Sequence, residues 1–244
     1  GCPRSYVAGD TLEISVEWVR ENFSNGLATF ATLDDLKHWS WRHDEVIDRY
    51  PSAWCAVEMA ILDLLAREKD CAVERLLQLD NITLCGHYTA VLGDDKAWKY
   101  TTLADQYLIR GIRDFKIKLN GNLERDLEKI ALLETLSEQH QAPSPRIRLD
   151  ANNLWKDRCS EAIDYIQALG VGRIFAVEEP VGAHNVEDLS KFSVATALPV
   201  ILDESLCTLN DLNVLKVTPG RFIANIKISK VGGLIRALRM IDAI

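Results

Sequence analysis

The sequence contains no apolar run near the ~18 residues of a membrane span. Its first residues, Gly1-Cys2-Pro3-Arg4, lack the charged then apolar layout of a signal peptide. These absences set a cytoplasmic location, away from membranes, as the expectation. The six cysteines, Cys2, Cys55, Cys71, Cys85, Cys159 and Cys207, include no C-x-x-C pair, so neither a zinc site nor a disulfide framework is encoded. Reduced, buried thiols are expected instead. Basic residues are also in deficit: Lys and Arg number 28 against 36 Asp and Glu, a net charge of −8. A nucleic-acid surface needs clustered cations, so nucleic-acid partners are not expected. The rest is an ordinary globular composition, 48% hydrophobic and 26% charged over 244 residues, enough for one large domain or a domain with an appendage. Small molecules, and further copies of the chain in a homo-oligomer, are the expected partners.

From residue 83 onward, short β-rich runs alternate with helical stretches. The runs predict strands over 83–92, 115–119, 146–151, 174–179, 200–204 and 222–228. Between them, 123–140 reads as a helix whose Leu127, Ile130, Ala131, Leu133 and Glu134 form a stripe with a charged back. Strand then helix, repeated, implies a parallel sheet and the α/β class. An open doubly wound sheet and a closed (β/α) barrel both satisfy that pattern. No Gly-rich phosphate turn follows an early strand, and polar residues recur at the C-terminal ends of the strands, which favours the barrel. Residues 1–82 read differently, with a strongly apolar helix over 52–69 marked by Ala56, Met59, Ala60, Leu62, Asp63 and Leu64. The expected organisation is a partial capping domain over 1–82, a boundary near 80–82 and barrel units over 83–244.

The strand ends carry acids and lysines in succession: Phe115-Lys116-Ile117-Lys118, Arg148-Leu149-Asp150-Ala151-Asn152, Val177-Glu178-Glu179-Pro180, Leu202-Asp203-Glu204-Ser205 and Asn225-Ile226-Lys227-Ile228. From Lys118 to Asp150, Glu178, Asp203 and Lys227 the steps are 32, 28, 25 and 24 residues, each one strand and helix. The groups therefore come from neighbouring strands at similar height. Three carboxylates converging there demand a cation, and hard divalent ions such as Mg²⁺ take oxygen ligands. Asp150, Glu178 and Asp203 are the expected ligands of one such ion. Lys116 and Lys118, two apart on a strand, share a face. A like charge and a metal nearby would disfavour the protonated form and leave a usable base. Glu179 and Glu204 should face the helices, Asn152 should accompany Asp150, and Lys230 should point outward. His87, His140 and His184 lie outside the constellation.

Together, Lys116-x-Lys118, Asp150-x-Asn152, Glu178-Glu179-Pro180, Asp203-Glu204-Ser205 and Asn225-x-Lys227 resemble the muconate-lactonizing subgroup of the enolase superfamily. Pro3 to Thr11, the helix around Ala56 to Asp63, and Lys230-Val231-Gly232-Gly233 are similar to that family as well. The resemblance implies an enolase-type barrel with part of an N-terminal α+β cap. It also implies Mg²⁺ on Asp150, Glu178 and Asp203, Lys118 and Lys227 as acid and base on opposite substrate faces, and Lys116 lowering the pKa of Lys118. The mandelate racemase branch resembles this scaffold, but Asn225-x-Lys227 on the sixth strand speaks against it. The implied chemistry is removal of a proton α to a carboxylate through an enediolate. Racemisation or epimerisation of an amino-acid derivative or dipeptide is the first expectation. Muconate-type cycloisomerisation or o-succinylbenzoate synthesis is the second, and an inactive metal-binding chain the third. Six strand and helix units fill 83–244, whereas barrels of this class run to about 250 residues. A fragment of a longer protein is therefore expected.

Overall fold

The computed structural model describes residues 3, 9–24, 30–79, 86–217 and 219–244. It resolves into two compact units. The first comprises 1–84, 206–213 and 226–244, and the second 85–205 and 214–225. Among the described residues, no helix is long and apolar enough to cross a membrane. The expected boundary at 80–82 lies outside the described residues.

In the first unit, helices α1 (Leu12–Phe23), α2 (Leu33–Arg42), α3 (Asp44–Arg49), α4 (Pro51–Glu68) and α5 (Val73–Leu76) precede the sheet. The core is built on Trp18, Leu36, Ile47, Trp54, Ile61 and Leu62, with Trp39 stacked on Trp54 at 3.9 Å. Helix α4 carries apolar residues on both faces, so composition could not tell its inner face from its outer one. The structure buries Trp54, Val57, Ile61 and Leu65 and leaves Ala56, Met59, Ala60 and Leu64 exposed. Of the apolar residues expected to mark this helix, only Leu62 is buried. Asp10, itself buried, accepts from the Ser52 N–H at 3.0 Å and so places a negative charge at the N-terminus of α4.

Helix α11 (Leu234–Asp242) also belongs to this unit and begins at Gly233, which has no side chain to cap it. Glu58 supplies the cap from 176 residues away: its Oε1 accepts the N–H of Leu234, and that of Ile235 at 3.1 Å. A Cβ at Gly233, where φ is +111°, would meet that carboxylate at 2.5 Å, so only glycine fits. Burial pushes Glu58 up to about 7 from an ordinary 4.5, against the opposing pull of the helix N–H groups and Arg236. An acid whose folded pKa is raised stabilises the fold below its unfolded pKa and withdraws that stability as pH rises towards the folded value. Between pH 5 and 8 the protein should therefore lose up to about 3 kcal/mol that a Glu58→Gln variant retains. Urea unfolding at several pH values checks this, and identical pH profiles for the two proteins would refute it.

The second unit alternates strand and helix. Its elements run β1 (Thr89–Leu92), α6 (Ala97–Ile109), β2 (Asp114–Lys118), α7 (Leu123–Gln139), β3 (Arg146–Asp150), α8 (Cys159–Leu169), β4 (Ile174–Glu178), α9 (Val186–Thr196) and β5 (Val200–Leu202), then α10 (Asn213–Val217), which begins in the first unit, and β6 (Phe222–Ala224). All neighbours pair parallel, in the order β1-β2-β3-β4-β5-β6. A doubly wound sheet reverses its order at a switch point, and this one does not. The sheet is singly wound, as in a (β/α) barrel, and the α/β expectation holds.

The strands are shorter than the sequence suggests, mainly at their C-terminal ends. Beyond Asp150 and Glu178 the chain enters left-handed backbone, with Asn152 at φ +45° and Glu179 at +41°, which no ladder accommodates. The expected first strand, 83–92, is β1 only from Thr89, and its residues 83–85 lie outside the described set. The sixth ends at Ala224 rather than Ile228. Lys227 therefore stands three residues past the strand, where its carbonyl accepts the turn N–H groups of Lys230 and Val231. Strand alternation does not apply across that turn, and Lys230, expected outward, is buried.

Candidate active site

Strand register sets the height at which each side chain arrives. Lys118, the last residue of β2, pairs with Asp150, the last of β3, and Asp150 with Glu178, the last of β4. Asp203 follows β5 by one residue. Lys116 and Lys118 share one face of β2, half-buried, while Phe115 and Ile117 between them are fully buried on the other.

This register brings the side chains together. Lys116 Nζ lies 3.0 Å from Asp150 Oδ2 and donates to both Glu178 oxygens at 3.1 Å. Lys118 Nζ is 3.5 Å from Asp150 Oδ2. Asn225 Nδ2 donates to Glu178 Oε1 at 3.1 Å, and Asn152 Nδ2 to Asp150 Oδ1 at 2.7 Å, the accompanying role expected of Asn152. The three acids are at most 4% exposed.

Burial raises the pKa of Glu178, and the charges of Asp150 and Asp203 raise it further, with Lys116 opposing. Burial acts to lower Lys116, but Glu178 and Asp150 outweigh it and hold the ammonium above the ordinary lysine range. The two carboxylates thus favour the protonated form of Lys116.

Among the described residues, no three His, Cys, Asp or Glu side chains gather closely enough to hold a metal ion as they stand. The Lys116 ammonium lies within ion-pair distance of both Asp150 and Glu178. The donor set still fits a divalent ion. Three buried carboxylates offer hard anionic oxygens, and Glu178 feels both of the other acids.

Glu179 has a role the sequence did not reveal. It is fully buried, and its carboxylate accepts from the N–H of Asp203 at 2.8 Å, the N–H of Ser205 at 2.7 Å and the Ser205 hydroxyl at 2.9 Å. It thereby fixes the segment carrying Asp203. Burial pushes it up to about 7, with those hydrogen bonds opposing. An acid directly after a strand-end acid and before Pro180 was the available signal. Lys227 is exposed and belongs to the first compact unit, whereas the carboxylates belong to the second. His87, His140 and His184 are exposed, with His140 bound to Asp105 at 2.6 Å.

A singly wound parallel sheet with acids and lysines at its C-terminal strand ends has the architecture of (β/α) barrel enzymes. The chain belongs to the enolase C-terminal domain-like family, whose sequence model matches residues 99–244. It is 26% identical to the hydrophobic dipeptide epimerase of Enterococcus faecalis over 98% of its own length and 65% of that relative's. The dipeptide epimerase of Cytophaga hutchinsonii, solved with Mg and the dipeptide D-Ala-L-Val, superposes with a TM-score of 0.77 at 24% identity, over 98% of this chain and 63% of that one. Muconate cycloisomerase from Pseudomonas fluorescens gives 0.77 at 20% identity, over 99% and 65%. The chain thus spans about 65% of the length of the first of these relatives.

Proposed function

We propose that the protein is a Mg²⁺-dependent isomerase that removes the proton α to a carboxylate and returns it, racemising or epimerising an amino-acid derivative or dipeptide. The observation that carries this reading is Lys118, level with Asp150 and Glu178 and 3.5 Å from Asp150, beside a second lysine paired with both Asp150 and Glu178. Likeness to a dipeptide epimerase over 98% of the chain supports it.

In this reading Asp150, Glu178 and Asp203 hold the ion, which when bound supplies positive charge against the developing enediolate. Lys118 accepts the α-proton, and Lys227 serves the opposite face of the substrate. Lys116 keeps the two nearest carboxylates aligned. Glu179 holds the Asp203 segment. Residues 83–244 are read as part of a (β/α) barrel and 1–82 as part of its cap. The four described cysteines are free thiols, which suits the reducing cytoplasm.

The test is incubation with a panel of dipeptides and N-acyl amino acids in D₂O with Mg²⁺. Gain of one deuterium at the α-carbon together with inversion is expected. Cycloisomerisation of a muconate, or formation of o-succinylbenzoate, would select the second chemistry that the likeness to muconate cycloisomerase favours. Mg²⁺ binding with no exchange in any substrate would mark a metal-binding chain without turnover and overturn the proposal.

A further inference from the structure

Helix α7 carries an acid and a lysine, Asp126 and Lys129, buried at 0% and 6% exposure outside the cluster described above. A buried ammonium is tolerated only where partners replace its water. Lys129 Nζ lies 2.5 Å from Asp126 Oδ1 and 3.4 Å from Asp94 Oδ1, and donates to the carbonyl oxygen of Lys118 at 2.6 Å.

Strand geometry explains why that carbonyl needs a partner. The Leu119 N–H donates to the Asp150 carbonyl at 2.9 Å, on the β3 side. In a trans peptide the preceding carbonyl, that of Lys118, points the opposite way, towards β1. The β1 ladder has already ended there, with Leu92 opposite Ile117. Lys129 takes the place of the missing strand.

The other half of the pair secures the following loop. Asp126 Oδ2 accepts from the N–H groups of Asn120 at 3.2 Å and Gly121 at 3.4 Å, and from the Tyr165 hydroxyl of α8 at 2.6 Å. The Tyr100 hydroxyl of α6 donates to the Lys129 carbonyl at 3.0 Å. Burial and the Asp126 charge raise both tyrosines, so they remain donors. The end of β2 and the loop after it are thereby tied to α7, which Tyr100 of α6 and Tyr165 of α8 hold in turn.

We infer that Lys129, held by Asp126, is a positioning residue that fixes the peptide carrying Lys118 and so the placement of the base. This rests on Lys118 being the base. Displacing a reacting group by about 1 Å can reduce turnover about 100-fold, so the effect falls on kcat rather than on KM.

The test compares the wild type with Lys129→Met and Lys129→Arg, by amide hydrogen exchange and by turnover of the best dipeptide. In folded Lys129→Met, the Leu119 amide should exchange at least about 10-fold faster while the Ile130 and Leu133 amides are unchanged. Its kcat should fall about 10-fold to 100-fold with KM within about twofold, and Lys129→Arg should recover most of the loss. If the Met variant does not fold, Lys129→Gln takes its place: its neutral amide ends one bond short of the ammonium and cannot hold the carbonyl as closely, so the same Leu119 and kcat changes, smaller in size, are expected. An unchanged Leu119 amide, uniform acceleration along α7, or a loosened Leu119 with unaltered kcat each overturns the inference. If the wild type turns over no substrate, the functional reading falls, and the Leu119 amide still decides whether Lys129 holds the strand end.

Discussion

Lys118→Ala should abolish incorporation of solvent deuterium at the substrate α-carbon, lowering the rate by about 10³-fold or more, while Mg²⁺ binding persists. A positioned general base contributes about 10² to 10⁴ in rate, and a methyl group cannot take its place. The two lysines of β2 differ in what surrounds them, and the proposed choice of base rests on that difference. Lys116 is engaged by Asp150 and by both oxygens of Glu178, which hold it protonated. Lys118 has one carboxylate oxygen at 3.5 Å and an ammonium that is 42% exposed on its side chain. Isotope exchange followed by mass spectrometry measures the incorporation directly. Exchange within about tenfold of wild type would place the base elsewhere and leave Lys118 as an accessory charge.

Glu178→Gln should weaken Mg²⁺ binding by at least about 100-fold in a calorimetric titration, because even groups one shell beyond a metal's ligands contribute 10-fold to 100-fold. Glu178 is the centre of the cluster. It shares Lys116 with Asp150, accepts from Asn225, and is raised by both neighbouring acids. Replacing it by a neutral amide removes the charge through which the other two acids are coupled and leaves Lys116 paired with Asp150 alone. An unchanged titration would show that the ion, if bound, does not use Glu178. A wild type that binds no Mg²⁺ would remove the metal from the proposed chemistry.

Much of this site was legible before any coordinates. Lys118, Asp150 and Glu178 recur one strand and one helix apart, and a parallel sheet wound in a single direction turns that spacing into common height. Period-two alternation put Lys116 and Lys118 on one face, and they share it. Lys227 was less legible. Its neighbours Ile226 and Ile228 extend an apparent strand, yet the ladder ends at Ala224 and the chain turns. Local β-propensity cannot register where a pairing partner stops.

The charged positions of α7 show the other limit. Its amphipathic pattern assigned apolar residues to the core and charges to solvent, which holds for Ile130 and Leu133. Ala131 is exposed, while Asp126 and Lys129 are inside. Their burial depends on the Lys118 carbonyl and on Tyr165, 39 residues beyond Asp126. Glu58 is a similar case, an acid on an apolar helix whose partners are the N–H groups of Leu234 and Ile235.

The sequence by itself determined the α/β class, the strand-end acids and lysines, and the family, because residue type and spacing carry those directly. Only the tertiary structure decided that Lys116 is tied to two carboxylates, that Glu179 holds the segment of Asp203, and that Asp126 and Lys129 are buried together. The charge state and position of a polar group depend on which partners replace its water, and those partners are brought to it by folding from distant parts of the chain.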